Sequence, residues 1–219
     1  MNKNYDAVIF DFDGTIADTG EGIFKGVYYV LDAMGIDHPE PEALRYFIGP
    51  PLNESFRTLF GLDEEQCVDA IATYREYYSV KGIFELTLYD GMEKLFRQLK
   101  ERNIKMGISS AKPEVFLKRI VDHLDMVELF DAVTGNDLDY VHSNKDIIIK
   151  RAMKLMALPP DAKVLMVGDR YLDIHGAKEV GIDSAGVLFG YGSQEEFEKA
   201  GADYIVGDTE ELFEIIVSE

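Results

Sequence analysis

An uninterrupted apolar run that ends in acid constrains this chain more than any other feature. Ala7-Val8-Ile9-Phe10 has no polar alternation. Both faces of that run need cover, which is the pattern of a strand inside a parallel sheet rather than of a half-solvated antiparallel one. Asp11-Phe12-Asp13-Gly14-Thr15 follows at once. Two carboxylates two residues apart on extended backbone point to one side, close enough to share a cation or to act in turn on one substrate. The plainer reading is a strand followed by an Asp-Gly turn, and a motif this short does not choose between the two.

The next seventy or so residues read as helical. Ile23, Val27, Tyr28, Leu31 and Met34 follow helical spacing over Glu21 to Met34, and Gly35 supplies a stop. A short helix is predicted near Glu42 to Phe47, followed by the break Gly49-Pro50-Pro51. Another is predicted from Leu52 to Phe60, ending at Gly61. Asp63 with Gln66 three residues on has the form of a capping box for a helix to about Lys81. After Leu86 the pattern changes to helices alternating with short apolar runs: Ile104 to Ser110, Asp131 to Thr134, Lys163 to Asp169, Ser184 to Leu188 and Asp203 to Val206. Such alternation predicts right-handed βαβ units. The expected fold is α/β, a doubly wound, Rossmann-like parallel sheet core with an inserted small α-helical cap domain. The core is expected over residues 1–16 and 86–219 and the cap over residues 17–85.

Composition narrows the partners. With 219 residues and 47% hydrophobic content the chain can bury a sizeable core. A formal net charge of −19 and a pI near 4.5 oppose a general grip on nucleic acid polymers or on an anionic membrane, both of which need basic patches. A single cysteine, Cys67, excludes an intrachain disulfide framework and fits a reducing compartment. No apolar run approaches the roughly 18 residues of a membrane span, and the first residues lack a signal peptide's apolar segment. A cytoplasmic protein, monomer or homodimer, is expected.

In a doubly wound sheet, ligands bind beyond the carboxyl ends of the strands, so the strand ends can be compared. The first ends in Asp11 and Asp13, the second in Ser109-Ser110, and the fourth in Gly168-Asp169-Arg170, with Asp173 a helical turn later; Lys145 precedes a helix between the third and fourth. Carboxylates, a hydroxyl and an ammonium converging on one edge suit a hard cation together with a phosphate.

In these motifs the chain resembles the haloacid dehalogenase-like hydrolases. Asp11-Phe12-Asp13-Gly14-Thr15 matches the family's DxDGT, Ser110 its strand-end Ser or Thr, Lys145 its lysine, and Gly168-Asp169-Arg170-Tyr171-Leu172-Asp173 its GDxxxD. Lys112-Pro113 favours Ser110 over Ser109 as the second motif. The insertion, with Ile48-Gly49-Pro50-Pro51-Leu52, Lys112 to Phe116 and Gly186 to Gly192, is similar to the phosphoglycolate phosphatase and 5′-nucleotidase-like branch.

The resemblance implies a phosphatase that acts on a small phosphorylated metabolite, of phosphoglycolate or nucleoside 5′-monophosphate type, through an aspartyl-phosphate. Asp11 is the implied nucleophile and Asp13 the acid and base. Lys145, Ser110 and the backbone amides of Phe12 and Ala111 are the implied phosphate ligands. Mg²⁺ would be held by Asp11, the Asp13 carbonyl and Asp169, with Thr15 and Asp173 in supporting positions. Arg45, Gly49 and Arg75 are candidates for substrate selection by the cap. A phosphoglucomutase-like phosphotransferase and a non-catalytic binding protein on the same scaffold stay open. Taken singly, Lys145 reads as a solvated helix-start lysine, Asp169 as a helix cap and Asp173 as a surface residue. His38, His123, His142 and His175 have no metal-ligand spacing and read as surface or packing residues, and Cys67 as a small packed side chain.

Overall fold

A computed structural model describes residues 5–138 and 144–218. In chain order the elements begin with β1 (Ala7–Phe10) and the two-residue β2 (Ala17–Asp18). Helices α1 (Gly20–Met34), α2 (Pro41–Leu44), α3 (Leu52–Phe60) and α4 (Glu64–Tyr78) come next, then the two-residue β3 (Thr87–Leu88). Alternation starts there: α5 (Met92–Glu101), β4 (Lys105–Pro113), α6 (Glu114–His123), β5 (Ala132–Asn136), α7 (Lys145–Leu155) and β6 (Val164–Gly168). It continues through α8 (Tyr171–Val180), β7 (Asp183–Val187), α9 (Gln194–Ala200), β8 (Tyr204–Val206) and α10 (Thr209–Val217). The described residues fall into two compact units. One holds residues 5–17, Leu88–Leu138 and 144–218, and the other Asp18–Thr87.

The first unit is the α/β part. Its six strands run in the order β5-β4-β1-β6-β7-β8, and all of the pairings are parallel. β1 lies between β4 and β6, with Phe10 level with both Ile108 and Val167. Its four residues are completely buried, as an unbroken apolar strand requires. On one face Ala7 and Ile9 meet Val164 and Met166 of β6, Ile149 and Ala152 of α7, and Ala177 of α8. On the other, Phe10 stands edge-on to Phe96 of α5 at 5.3 Å, and Phe96 edge-on to Phe130 at 5.2 Å. The sheet thus has helices on both faces, and the strand order reverses at β1, where crevices open at strand ends.

β4 departs from expectation. The sequence places its end at Ser110, yet strand geometry continues to Pro113, with an irregularity in the pairing to β5 between Ser109 and Pro113. Proline can close a strand because it need only give up one ladder donor, and bulges of this sort re-aim the side chains beside them.

The second unit is helical. Gly35 and Gly61 end α1 and α3 in the left-handed conformation, at φ 66° in each case. Asp63 and Gln66 form the reciprocal capping box of α4, with bonds of 2.9 and 3.0 Å. α4 stops at Tyr78, short of Lys81, and a 3-10 turn at Gly82–Phe84 follows. The helix expected at Glu42 to Phe47 is split into α2 and a 3-10 turn at Arg45–Phe47. Phe47, Phe56 and Phe60 form an aromatic cluster. Gly26 lets Tyr74 lie against α1, since a Cβ there would sit 2.6 Å from its ring. Cys67 is buried, as expected of a packed side chain.

Candidate active site

The first strand ends where both neighbours hold it. Asp11 N–H donates to the Val167 carbonyl at 2.8 Å, and the Phe12 carbonyl then accepts from Thr15, Ile16 and Ala17, folding the chain back over Asp13-Gly14. Gly14 has φ +79°, and a Cβ on it would lie 2.1 Å from Asp169 Oδ2. Glycine is therefore required twice over, by backbone angle and by space.

Around this loop three carboxylates and two lysines are buried. Asp11, Asp169 and Asp173 each offer an oxygen within 4.8 Å of the others. Lys145, the first residue of α7, reaches Asp11 Oδ1 at 2.9 Å and Asp173 Oδ1 at 2.6 Å. Gly176 leaves room for the Lys145 stem, because a Cβ there would stand 2.8 Å from its Cγ. Burial pushes the Lys145 pKa down, but the two carboxylates outweigh it and hold the pKa above the ordinary value. Asp173 receives the Arg170 amide on Oδ2 at 3.1 Å. Its burial and the nearby Asp11 raise its pKa to about 6 against the opposing pull of Lys145.

Asp169 is completely buried. Its Oδ2 accepts from the Tyr191 amide at 2.9 Å and its Oδ1 from Thr15 Oγ1 at 3.4 Å. Among the described residues no lysine or arginine pairs with it, and burial together with Asp11 and Asp173 holds its pKa well above the usual carboxylate range. A buried acid facing other acids is short of positive charge, and hard oxygens so arranged fit a divalent cation.

The residues expected from the sequence thus separate into groups. Asp11, Asp13, Thr15, Lys145, Asp169 and Asp173 come together, and Phe12, Ser110 and Ala111 stand at the same sheet edge. Ser110 Oγ accepts the Lys112 amide at 3.3 Å, whereas the equally buried Ser109 hydroxyl has no partner among the described residues. Arg45, Gly49 and Arg75 lie in the helical unit. There Arg45 is exposed beside Glu42 at 3.1 Å, and Gly49 has φ +104°. His38 stacks on Tyr28 and His175 meets Tyr171 edge-on; His142 lies outside the described residues.

Sequence reasoning missed Lys112 as a site residue. Its side chain is only 5% exposed, and Nζ lies 3.0 Å from Asp13 Oδ1. Lysine two positions beyond a strand-end serine was the available signal. The loop after β7 was missed as well: Gly190 packs so closely that a Cβ would meet the Gly14 carbonyl at 2.2 Å, which brings the Tyr191 amide to Asp169.

A profile of the haloacid dehalogenase-like hydrolases matches residues 8–187. The chain belongs to that family. A 5′-nucleotidase of Pseudomonas aeruginosa is 33% identical over 214 residues, covering 98% of this chain and 96% of that protein. The tyrosine-protein kinase PtkA of Mycobacterium tuberculosis is 33% identical over 193 residues, 88% of this chain and 65% of the relative. A crystal structure of a predicted phosphatase from Clostridium acetobutylicum superimposes with a TM-score of 0.87 at 40% identity, covering 96% of this chain and 97% of that one. As a member of the hydrolase family the chain is an enzyme, and no described helix is long and apolar enough to cross a membrane.

Proposed function

We propose that this phosphatase hydrolyses the phosphomonoester of a small soluble metabolite, of phosphoglycolate or nucleoside 5′-monophosphate type, through an aspartyl-phosphate on Asp11 with Mg²⁺ as cofactor. The observation that carries the reading is the buried group of Asp11, Asp169 and Asp173 around Lys145, next to the pair of Asp13 with Lys112.

Asp11 attacks phosphorus in line through a carboxylate oxygen. The phosphorus–ester oxygen bond breaks as the new bond forms, and Asp13 gives a proton to the leaving oxygen. Asp13 then takes a proton from the water that attacks the phospho-enzyme, which frees inorganic phosphate and restores Asp11. Lys145, Ser110 and the amides of Phe12 and Ala111 hold the phosphoryl oxygens. Asp173 fixes Lys145, and Thr15 with the Tyr191 amide fixes Asp169. Mg²⁺, held by Asp11, the Asp13 carbonyl and Asp169, would supply the positive charge that allows an anionic nucleophile to approach an anionic phosphoryl group.

We assign the helical unit to the role of cap, with Arg45, Gly49 and Arg75 as its candidates for substrate selection, and the protein to the cytoplasm as a monomer or homodimer. The test uses para-nitrophenyl phosphate. Chelation is expected to stop phosphate release and added Mg²⁺ to restore it. Asp11→Asn is expected to lower kcat by at least about a thousandfold with an unchanged circular dichroism spectrum. Appreciable turnover by pure Asp11→Asn, or indifference to chelator, would overturn the reading.

A further inference from the structure

Two lysines are buried at this sheet edge, and they serve different carboxylates. Lys145 lies on Asp11 and Asp173, where one transferring phosphoryl group accounts for it. Lys112 lies on Asp13, at 3.0 Å. Lysine is almost never fully buried without a reason, and the segment that buries this one is firmly built. β4 is irregular between Ser109 and Pro113, the Lys112 amide donates to Ser110 Oγ at 3.3 Å, and Asn136 Nδ2 donates to the Ala111 carbonyl at 2.9 Å. Gly135 completes the seat, since a Cβ there would lie 2.4 Å from the Lys112 carbonyl oxygen.

We propose that Lys112 selects substrates whose leaving group carries negative charge next to the ester oxygen, as a carboxylate one carbon away or as a second phosphoryl group. The proposal rests on the reading above, in which Asp13 serves the leaving oxygen. In an in-line displacement that oxygen lies opposite the nucleophile, so the ammonium on Asp13 marks the leaving-group side of phosphorus. Where the ester oxygen is bonded to Asp13 Oδ1, at about 2.7 Å, Lys112 Nζ at 3.0 Å from that same oxygen comes within about 6 Å of it. Anionic oxygens two or three covalent bonds from the ester oxygen come within that reach. An alcohol or the ribose of a nucleoside presents no charge there. The favoured class is thus a phosphorylated 2-hydroxy acid or a pyrophosphate, rather than a nucleoside monophosphate.

The test compares kcat/KM for carboxymethyl phosphate (phosphoglycolate) with that for ethyl phosphate, which has no carboxylate. It uses the full chain with Mg²⁺, as wild type, Lys112→Met and Lys112→Arg. Both variants also weaken the seat of Asp13; ethoxide is the more basic leaving group and loses at least as much from a weaker acid, which raises the ratio, so a fall in the ratio reads the contact of Lys112 with the carboxylate. The wild type is expected to prefer carboxymethyl phosphate, Lys112→Met to lower the preference by roughly 10- to 100-fold, the value of one charge-assisted contact, and Lys112→Arg to keep most of it. Inorganic pyrophosphate should follow carboxymethyl phosphate. An unchanged ratio in Lys112→Met would overturn the proposal and leave Lys112 a partner of Asp13 only. If Lys112→Met does not fold, Lys112→Gln gives the same ratio. A wild type that hydrolyses neither ester, or whose Asp11→Asn variant is equally active, would instead bring down the phosphatase reading and this proposal with it.

Discussion

Lys145 joins two acids that would otherwise repel each other inside the protein. It is 7% exposed, and Asp11 and Asp173 are within 2.9 and 2.6 Å of its ammonium. Removing one member of a buried ionic group leaves its partners uncompensated, at a cost of about 3–5 kcal/mol. Lys145→Met is therefore expected to lose about that much stability in urea unfolding, and the double variant with Asp173→Asn to recover part of it. A Lys145→Met protein as stable as wild type would show that the charges are solvated rather than buried. Asp11, Asp13 and Asp169 were legible in the sequence because acids at the ends of apolar runs are unusual. Lys112 was not, because a lysine two positions beyond a strand-end serine marks the place without saying that its side chain turns inward. Its burial depends on Asp13, Gly135 and Asn136, which come from other segments.

The helices carry their own end signals, and these were read with little error. Asp63 accepts the Gln66 amide at 2.9 Å while Gln66 Oε1 accepts the Asp63 amide at 3.0 Å. Asp63→Ala is expected to cost about 1 kcal/mol, measurable as a shift in the denaturation midpoint at constant slope; no shift would mean that α4 does not depend on its cap. α6 is tied to its neighbours by Glu114, which pairs with Lys118 at 2.5 Å, meets Arg151 of α7 and accepts the Gly135 amide of β5 at 3.4 Å. Burial raises the Glu114 pKa, but these partners outweigh it and the folded value falls below the ordinary 4.5. A depressed carboxylate stabilises fully above its unfolded pKa and loses that contribution as the pH falls through the folded one. Glu114→Gln should therefore melt below wild type near neutral pH and approach it below about pH 4. A difference in Tm that stays constant across this range would exclude the ionic role. The end of β4 was misplaced because pairing with β5 extends the strand to Pro113, and that partner is distant in the chain; α4 stops three residues before the expected Lys81.

At the scale of the whole chain the dominant quantity is charge. There are 41 acidic against 22 basic residues, a net −19, so the folded state carries self-repulsion that salt screens. Raising NaCl from about 10 to about 150 mM at pH 7 is expected to increase Tm by a few degrees. A Tm that falls would mean that favourable pairs such as Lys25 with Glu21 and Glu85 outweigh the repulsion.

The sequence by itself determined the α/β class, the helical insertion and the strand ends that hold acid. Apolar runs, glycine stops and capping residues act over a few positions and need no knowledge of what lies alongside. Only the tertiary structure decided how the charges are shared: Lys145 between Asp11 and Asp173, Lys112 on Asp13, and the Tyr191 amide with Thr15 on Asp169. Each of these groups is distant in the chain from the acid it meets, Thr15 from Asp169 most of all. The crossovers that set β1 between β4 and β6 choose the neighbours, and in a buried site the neighbour decides what a charged group can do.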